Sequence, residues 1–370
     1  MIKQDDEGDA SVPTPPSPTP APTGSQYQFI NRTPYAQMIN DKKKGTLMFE
    51  SLVDGQGGLK ELFVDADGIR LHCLEWDPDQ FADQHQAVPI SEDDDGKRYG
   101  DEIPLVMLHG LGATADTWRL VAPHFYHHHR VVAFDQRGHG QSEKPNTGYD
   151  LVTVAEDAVH GMAALGLGKV ALVGHGWGAR VALVLAAHHP ALVSHLVLVD
   201  CPHVEPKHWP GMTRERFLRQ TLPQEIYVSR TAYLAAMQSE MAEFWSPEVE
   251  AILLTSVREL PDGRIEEHLR PEHQRLIRQS LWEDRTLSYY GKVSCPVLLV
   301  PAAAQPEPGG HPPEKLENAG EFAAAKGFMA SQVARIILWC TVLWMPDTSH
   351  DIQLHRPQRL ATAIADFVRE

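Results

Sequence analysis

The chain has little with which to staple itself together. Its 370 residues include four cysteines, Cys73, Cys201, Cys295 and Cys340, and no two of them stand in C-x-x-C spacing. This excludes a disulfide-dense secreted scaffold and the usual sequence forms of zinc and dithiol sites. No metal and no other cofactor is therefore expected, and a reducing, cytoplasmic setting is the default. Positive charge is also scarce, with 33 Lys and Arg against 49 Asp and Glu and a formal charge of −16. Such a balance repels phosphate backbones and anionic lipid, which argues against nucleic acid or membrane as a partner. Long apolar runs are missing as well. Nowhere do 18 apolar residues run together, and "MIKQDDEGDASVPTPPSPTPAP" at the start has no apolar stretch of the signal-peptide kind.

What is present is enough for a large core, since 42% of the residues are hydrophobic and 22% charged. Residues 1–25 are acidic and then rich in Pro and Thr, a composition that reads as a disordered tail. Residues 26–57 form an extension of mixed character. Order begins with "LKELFVDADGIRLHCLEW", two alternating runs around Asp-Ala-Asp-Gly, which predicts a hairpin. An acidic insertion around "SEDDDGKRYGDE" follows. The pattern then changes to short continuous apolar runs, "IPLVMLHG", "RVVAFD", "KVALVG" and "HLVLVD", separated by amphipathic helical stretches. Such alternation predicts an α/β fold, a mostly parallel twisted sheet with helices on both faces. Between 203 and 290 only helical signals appear, so this segment reads as a helical cap inserted before the last strands, "CPVLLVP" and "CTVLWMPD". The core is thus expected over 58–202 and 291–370.

In an open parallel sheet, chemistry collects at the carboxyl ends of the strands. Four such ends stand out. "HGLG", His109 to Gly112, can aim backbone N–H groups at a developing oxyanion. "FDQRGHGQSEKP" reads as a polar loop braced by Asp135 and Arg137. "VALVGHGWGARVALVLAAHHP" has the strand, tight turn and helix of a nucleophile elbow, with Gly174 and Gly178 as the small flanking residues. Its central position is Gly176, which has no side chain. "PDTSHDIQLHRP" puts His350 in a loop between the last strand and the last helix.

In their order and spacing these four motifs resemble the α/β-hydrolase superfamily, the capped ester hydrolases, epoxide hydrolases and haloalkane dehalogenases in particular. The resemblance runs over about residues 60–370. It implies the α/β-hydrolase fold, His350 as general base, and an oxyanion hole from the backbone N–H groups of Leu111 and Trp177. The superfamily uses Ser or Asp as nucleophile, and "HGLG" leans toward the ester and C–C bond hydrolases. For the acid that orients the histidine two candidates stand: Glu307, two residues beyond Gln305, which occupies the family's usual acid register, and Asp200, which ends "HLVLVD".

With Gly176 at the elbow, three readings follow. The protein is a hydrolase of a small apolar ester or related substrate, in which His350 activates a water directly. Alternatively it is a non-catalytic ligand- or partner-binding protein, a pseudoenzyme, or a nucleophile-removed variant of a Ser or Asp hydrolase. The cap residues Met237, Met241 and Trp245 could line an apolar cleft or simply pack the cap. Tyr227, Tyr233, Tyr289 and Tyr290 could donate to a substrate oxygen, as cap tyrosines do in epoxide hydrolases, or pack.

Overall fold

The computed structural model describes residues 52–53, 59–76, 102–125, 128–201, 203–219 and 227–369. The tail 1–25, all but two residues of the extension 26–57, and nearly all of the acidic insertion lie outside them. All described residues belong to one compact unit, 41–370.

The alternating runs form strands β2 (Leu59–Asp65) and β3 (Arg70–Trp76), paired antiparallel, and β1 (Leu52–Val53) adds to the free edge of β2. Their turn works because Asp67 and Gly68 take φ of 56° and 90°, which Asp and Gly tolerate best, while the Gly68 N–H donates to Asp65 Oδ1 at 2.7 Å. The continuous apolar runs form β4 (Leu105–Leu108), β5 (Val131–Phe134), β6 (Val170–His175) and β7 (Val193–Val199). After a hairpin in the cap, β8 (Val257–Glu259) with β9 (Ile265–Glu267), the sheet resumes with β10 (Val297–Val300) and β11 (Cys340–Val342). The order is β1-β2-β3-β5-β4-β6-β7-β10-β11, antiparallel from β1 to β5 and parallel from there on.

Why the runs are continuously apolar is visible in the two cores. Side chains alternate across a strand, and here both sides are covered. Val106, Leu108, Leu196 and Leu198 face one core with the helices Leu151–Ala164, Gly176–His188 and Ala319–Ala334. Leu105, Met107, Val197 and Val199 face the other, closed by the amphipathic helix Pro357–Arg369 through Leu360, Ile364 and Phe367.

The segment inserted between β7 and β10, here termed the cap from its position alone, contains the helices Arg214–Leu218, Arg230–Glu240, Pro247–Leu254, Pro271–Glu283 and Leu287–Tyr290. Thr213, Ser229 and Ser246 cap three of them, each accepting from the backbone N–H three residues on. The all-helical reading of 203–290 needs one correction, the antiparallel pair β8 and β9. Its turn signal, Pro261-Asp262-Gly263, is present in the sequence, but "VRE" and "IEE" are too short and charged to read as strands. Val257 and Ile265 from this hairpin pack with Tyr233 and Met237, and with Trp245 against them, as a small core of the cap itself. So Met237 and Trp245 serve cap packing.

Arg180, in the helix after the elbow, ties cap to core. It is buried, and its guanidinium donates to Val204 O at 2.5 Å and to Thr286 Oγ1, with Asp284 Oδ2 at 3.3 Å.

Candidate active site

Strand β6 runs straight into the helix Gly176–His188, and the joint is Gly176 at φ 53°. A side chain here would sit on a strained left-handed backbone, the hallmark of a nucleophile elbow. The flanking glycines are required by contact. A Cβ on Gly174 would lie 2.5 Å from Ala179 Cα, and one on Gly178 would lie 2.3 Å from His109 O. Both clashes are with backbone. Gly178→Ala should therefore cost about 3 kcal/mol, read as a clear fall in the thermal unfolding midpoint; an unchanged midpoint would mean that helix and strand can separate freely.

A Cβ on Gly176 would meet something different, His350 Nε2 at 3.2 Å, His350 Cε1 at 3.4 Å and Gly110 Cα at 3.8 Å. The gap left by the missing side chain thus faces the histidine of the last loop and the HGLG turn. On its other side, His350 Nδ1–H donates to Asp200 Oδ2 at 2.6 Å. The imidazole is more than half exposed, 56% for the side chain, whereas the Asp200 carboxylate is wholly buried. Asp200 follows β7 at φ 38°, accepts from Ala302 N–H at 2.9 Å and forms an ion pair with Lys326 Nζ at 2.6 Å. Burial alone would push its carboxyl pKa up. The bond from His350 and the charge of Lys326 outweigh it and hold the group well below the usual carboxylate range. For His350 the surrounding protein disfavours the proton, but the bond and charge of Asp200 win and raise its pKa above the ordinary histidine value.

Glu307 does not reach this place. It is exposed in a turn after β10, where its carbonyl accepts from Gly310 N–H at 2.9 Å, and Gln305 beside it is exposed too. Of the two acid candidates, the fold brings Asp200 to His350.

His175 locks the loop that carries His350. Its Nε2–H donates to His350 O at 3.0 Å, the two rings lie 4.5 Å apart, and Gln353 Nε2 approaches Nδ1 at 3.4 Å. Burial, and then the neighbouring His350, push its pKa down to about 4, so it is neutral at pH 7. Only a glycine at 110 leaves room for it, since a Cβ there would lie 2.8 Å from His175 Nδ1. The HGLG turn is braced from β5: Gln136 N–H donates to His109 Nε2 at 3.0 Å and Gln136 Nε2 to His109 O at 2.7 Å. Leu111 follows in that turn. Trp177 occupies the first turn of the elbow helix, where backbone N–H groups lack an intrahelical acceptor. Its indole stacks on His139, ring centres 5.1 Å apart.

The chain has an α/β-hydrolase fold. The family model described as "alpha/beta hydrolase fold" matches residues 103–282. Within that fold the chain is 42% identical over 101 residues to a soluble epoxide hydrolase of Corynebacterium sp. (strain C12), 27% of this chain and 35% of that protein. It is 34% identical over 142 residues to a non-heme chloroperoxidase of Streptomyces lividans, 38% of this chain and 49% of that protein. It therefore spans a third to a half of the curated relatives it matches. The crystal structure of E-2-(acetamidomethylene)succinate hydrolase superposes with a TM-score of 0.62 at 21% identity, over 84% of this chain and all of that one, a likeness of fold.

Three residues of the hydrolase-fold site escape a reading of motifs. His175 and Arg180 lie inside the elbow motif, but their partners come from 175 and about 105 positions away. Lys326 left a faint signal as the single charge in "FAAAKGFMASQVA", where an amphipathic helix should present apolar groups to the sheet. The cap tyrosines are all occupied by protein groups. Tyr227 OH donates to Glu267, Tyr289 OH to Asp284 at 3.2 Å and Tyr290 OH to His203 O at 3.1 Å, while Tyr233 OH meets Ser256 Oγ at 3.4 Å. A cavity of about 910 Å³ lies between Phe244 of the cap and Ala302, Phe328 and Ser349 of the core, without His350 or Asp200 in its lining. Its lining also includes Glu240, Glu243, Glu307 and Asp347, more acidic than the cap's Met and Trp content suggests.

Proposed function

We propose that the protein hydrolyses a small ester or related acyl substrate without a covalent intermediate, with His350 as general base. The observation that carries this reading is the position of His350 Nε2, 3.2 Å from where a nucleophile's Cβ would stand, while Nδ1 is bonded to a buried Asp200. That bond sets the tautomer: the proton sits on Nδ1 and the Nε2 lone pair points at the gap. A water in the gap gives its proton to Nε2 as its oxygen attacks the acyl carbon. The resulting oxyanion is met by the backbone N–H groups of Leu111 and Trp177. Collapse then expels the alcohol, which takes the proton back from Nε2, and the carboxylic acid is released. Trp177 packing against His139 supports the reading, since an indole in the gap would displace the water.

Relatives named as epoxide hydrolases suggest an alternative substrate class. Ester chemistry is favoured because Gly176 supplies no carboxylate to open an epoxide and the cap tyrosines are spent on protein partners.

General-base catalysis of this kind is worth about 10² to 10⁴ in rate, so an activated substrate is the place to look. The purified chain is expected to hydrolyse p-nitrophenyl acetate above buffer, with a rate that rises with pH and levels off only above the ordinary histidine range, because the raised pKa of His350 keeps Nε2 protonated below it. His350→Ala should bring the rate to background. An undiminished rate in that variant would end the proposal, and saturable binding of an ester analogue without turnover would mark a binding protein instead.

A further inference from the structure

Lys326 is a cationic group at the site that the proposed reaction does not use. It sits in the helix Ala319–Ala334, with 17% of its side chain exposed. Its ammonium and the His350 imidazole bond the same oxygen, Asp200 Oδ2, each at 2.6 Å. The other carboxylate oxygen is held by Ala302 N–H at 2.9 Å. The carboxylate is therefore fixed from three elements and has a full counter-charge beside its histidine.

We propose that Lys326 is a positioning residue for His350: it clamps the Asp200 carboxylate in line with Nδ1 and offsets its charge, limiting how strongly Asp200 holds a proton on the imidazole. An unopposed buried carboxylate beside a histidine favours the imidazolium, and a protonated Nε2 cannot accept a proton from water. A histidine that must act as base on water gains from an acid that orients it without over-stabilising its charged form. Lysine on the same oxygen supplies that compromise. Among the described residues, the other titratable and charged groups that face His350 are His175 from the end of β6, which is neutral, and Asp351 on its own loop; the buried His203, which feels the charge of Asp200, has its pKa pushed down to about 4 by burial and is neutral too. None of these offers the positive charge that Lys326 does.

The inference rests on His350 being the base, but its test reads protonation and not turnover, so a failed ester assay and a failed test are distinct results. The full chain is labelled on histidine and the His350 ring titrated by NMR, the signal assigned by its loss in His350→Ala. Lys326→Met should raise the His350 midpoint by about one pH unit, a tenfold tighter hold on the proton, while Lys326→Arg should leave it close to wild type. Lys326→Met leaves the buried Asp200 carboxylate without its cation, so the comparison is repeated between Asp200→Asn and Asp200→Asn/Lys326→Met, the second of which removes the buried ion pair as a whole. There, too, loss of the lysine should raise the midpoint. A midpoint unmoved by loss of Lys326 in either folded background would overturn the proposal.

Discussion

Gly176→Ser is expected to raise hydrolysis of a short activated ester by about 10³-fold or more over the wild-type chain, and to produce a burst of the first product as an acyl-enzyme accumulates. Removing the serine from a complete triad costs about 10⁶ in turnover and leaves only what the oxyanion donors and binding provide. Restoring it should recover much of that difference, provided that everything around it is in place. The geometry favours recovery. The new Cβ would stand 3.2 Å from His350 Nε2, a tight approach, but the partner is an exposed ring that can retreat by a few tenths of an ångström. The left-handed backbone, at φ 53°, is already that of an elbow, and holding serine in it costs about 1 to 3 kcal/mol. The experiment is the ratio of kcat/KM for the two proteins with p-nitrophenyl acetate, with unfolding curves to show that both are folded. A gain below tenfold in a folded Gly176→Ser protein would mean that the His350–Asp200 pair or the amide donors cannot support acyl transfer, and the binding reading would gain.

In that serine background, Asp200→Asn should lower kcat by about 10⁴, the loss typical when an amide replaces the acid and favours the wrong histidine tautomer. Glu307→Gln should change it less than twofold. The contrast follows from position. Asp200 is wholly buried and bonded to Nδ1 at 2.6 Å, whereas Glu307 is exposed in a turn whose one backbone bond is to Gly310. If Glu307→Gln were the damaging change, the loop after β10 would have to rearrange on substrate binding to bring that carboxylate to His350.

The two acids also show how sequence and structure divide the labour. Glu307 attracts notice because it stands near the register where such folds usually keep the acid. Asp200, about 100 residues earlier, reaches the histidine because β7 and β10 are neighbours: Val199 pairs with Val300, and the Asp200 N–H donates to Val300 O at 2.8 Å. Adjacent strand ends are interchangeable platforms for an acid. Sequence order alone does not say which is used.

Much else was legible, because it depends on local rules. Strands buried on both faces must be continuously apolar, so the parallel sheet and its alternating helices announce themselves in "LVML", "VVAF" and "VLLV". The elbow announces itself because a left-handed joint packed against backbone on both sides admits only small residues at 174 and 178. The cap hairpin was hidden because its stability comes from Tyr233 and Met237 packing on Val257 and Ile265, and not from a strand-like pattern of its own.

By itself, then, the amino-acid order determined the layered sheet, the glycine-flanked joint of strand and helix at Gly176 and the loop position of His350, since each is set by side-chain periodicity or by local backbone sterics. Only the tertiary structure decided that Asp200 and not Glu307 meets that histidine, that His175 and Arg180 hold the loop and cap in place, and that Lys326 shares the acid. Those pairings join residues 100 or more positions apart, and a contact at that separation is set by which strands lie side by side and what the helices between them bury.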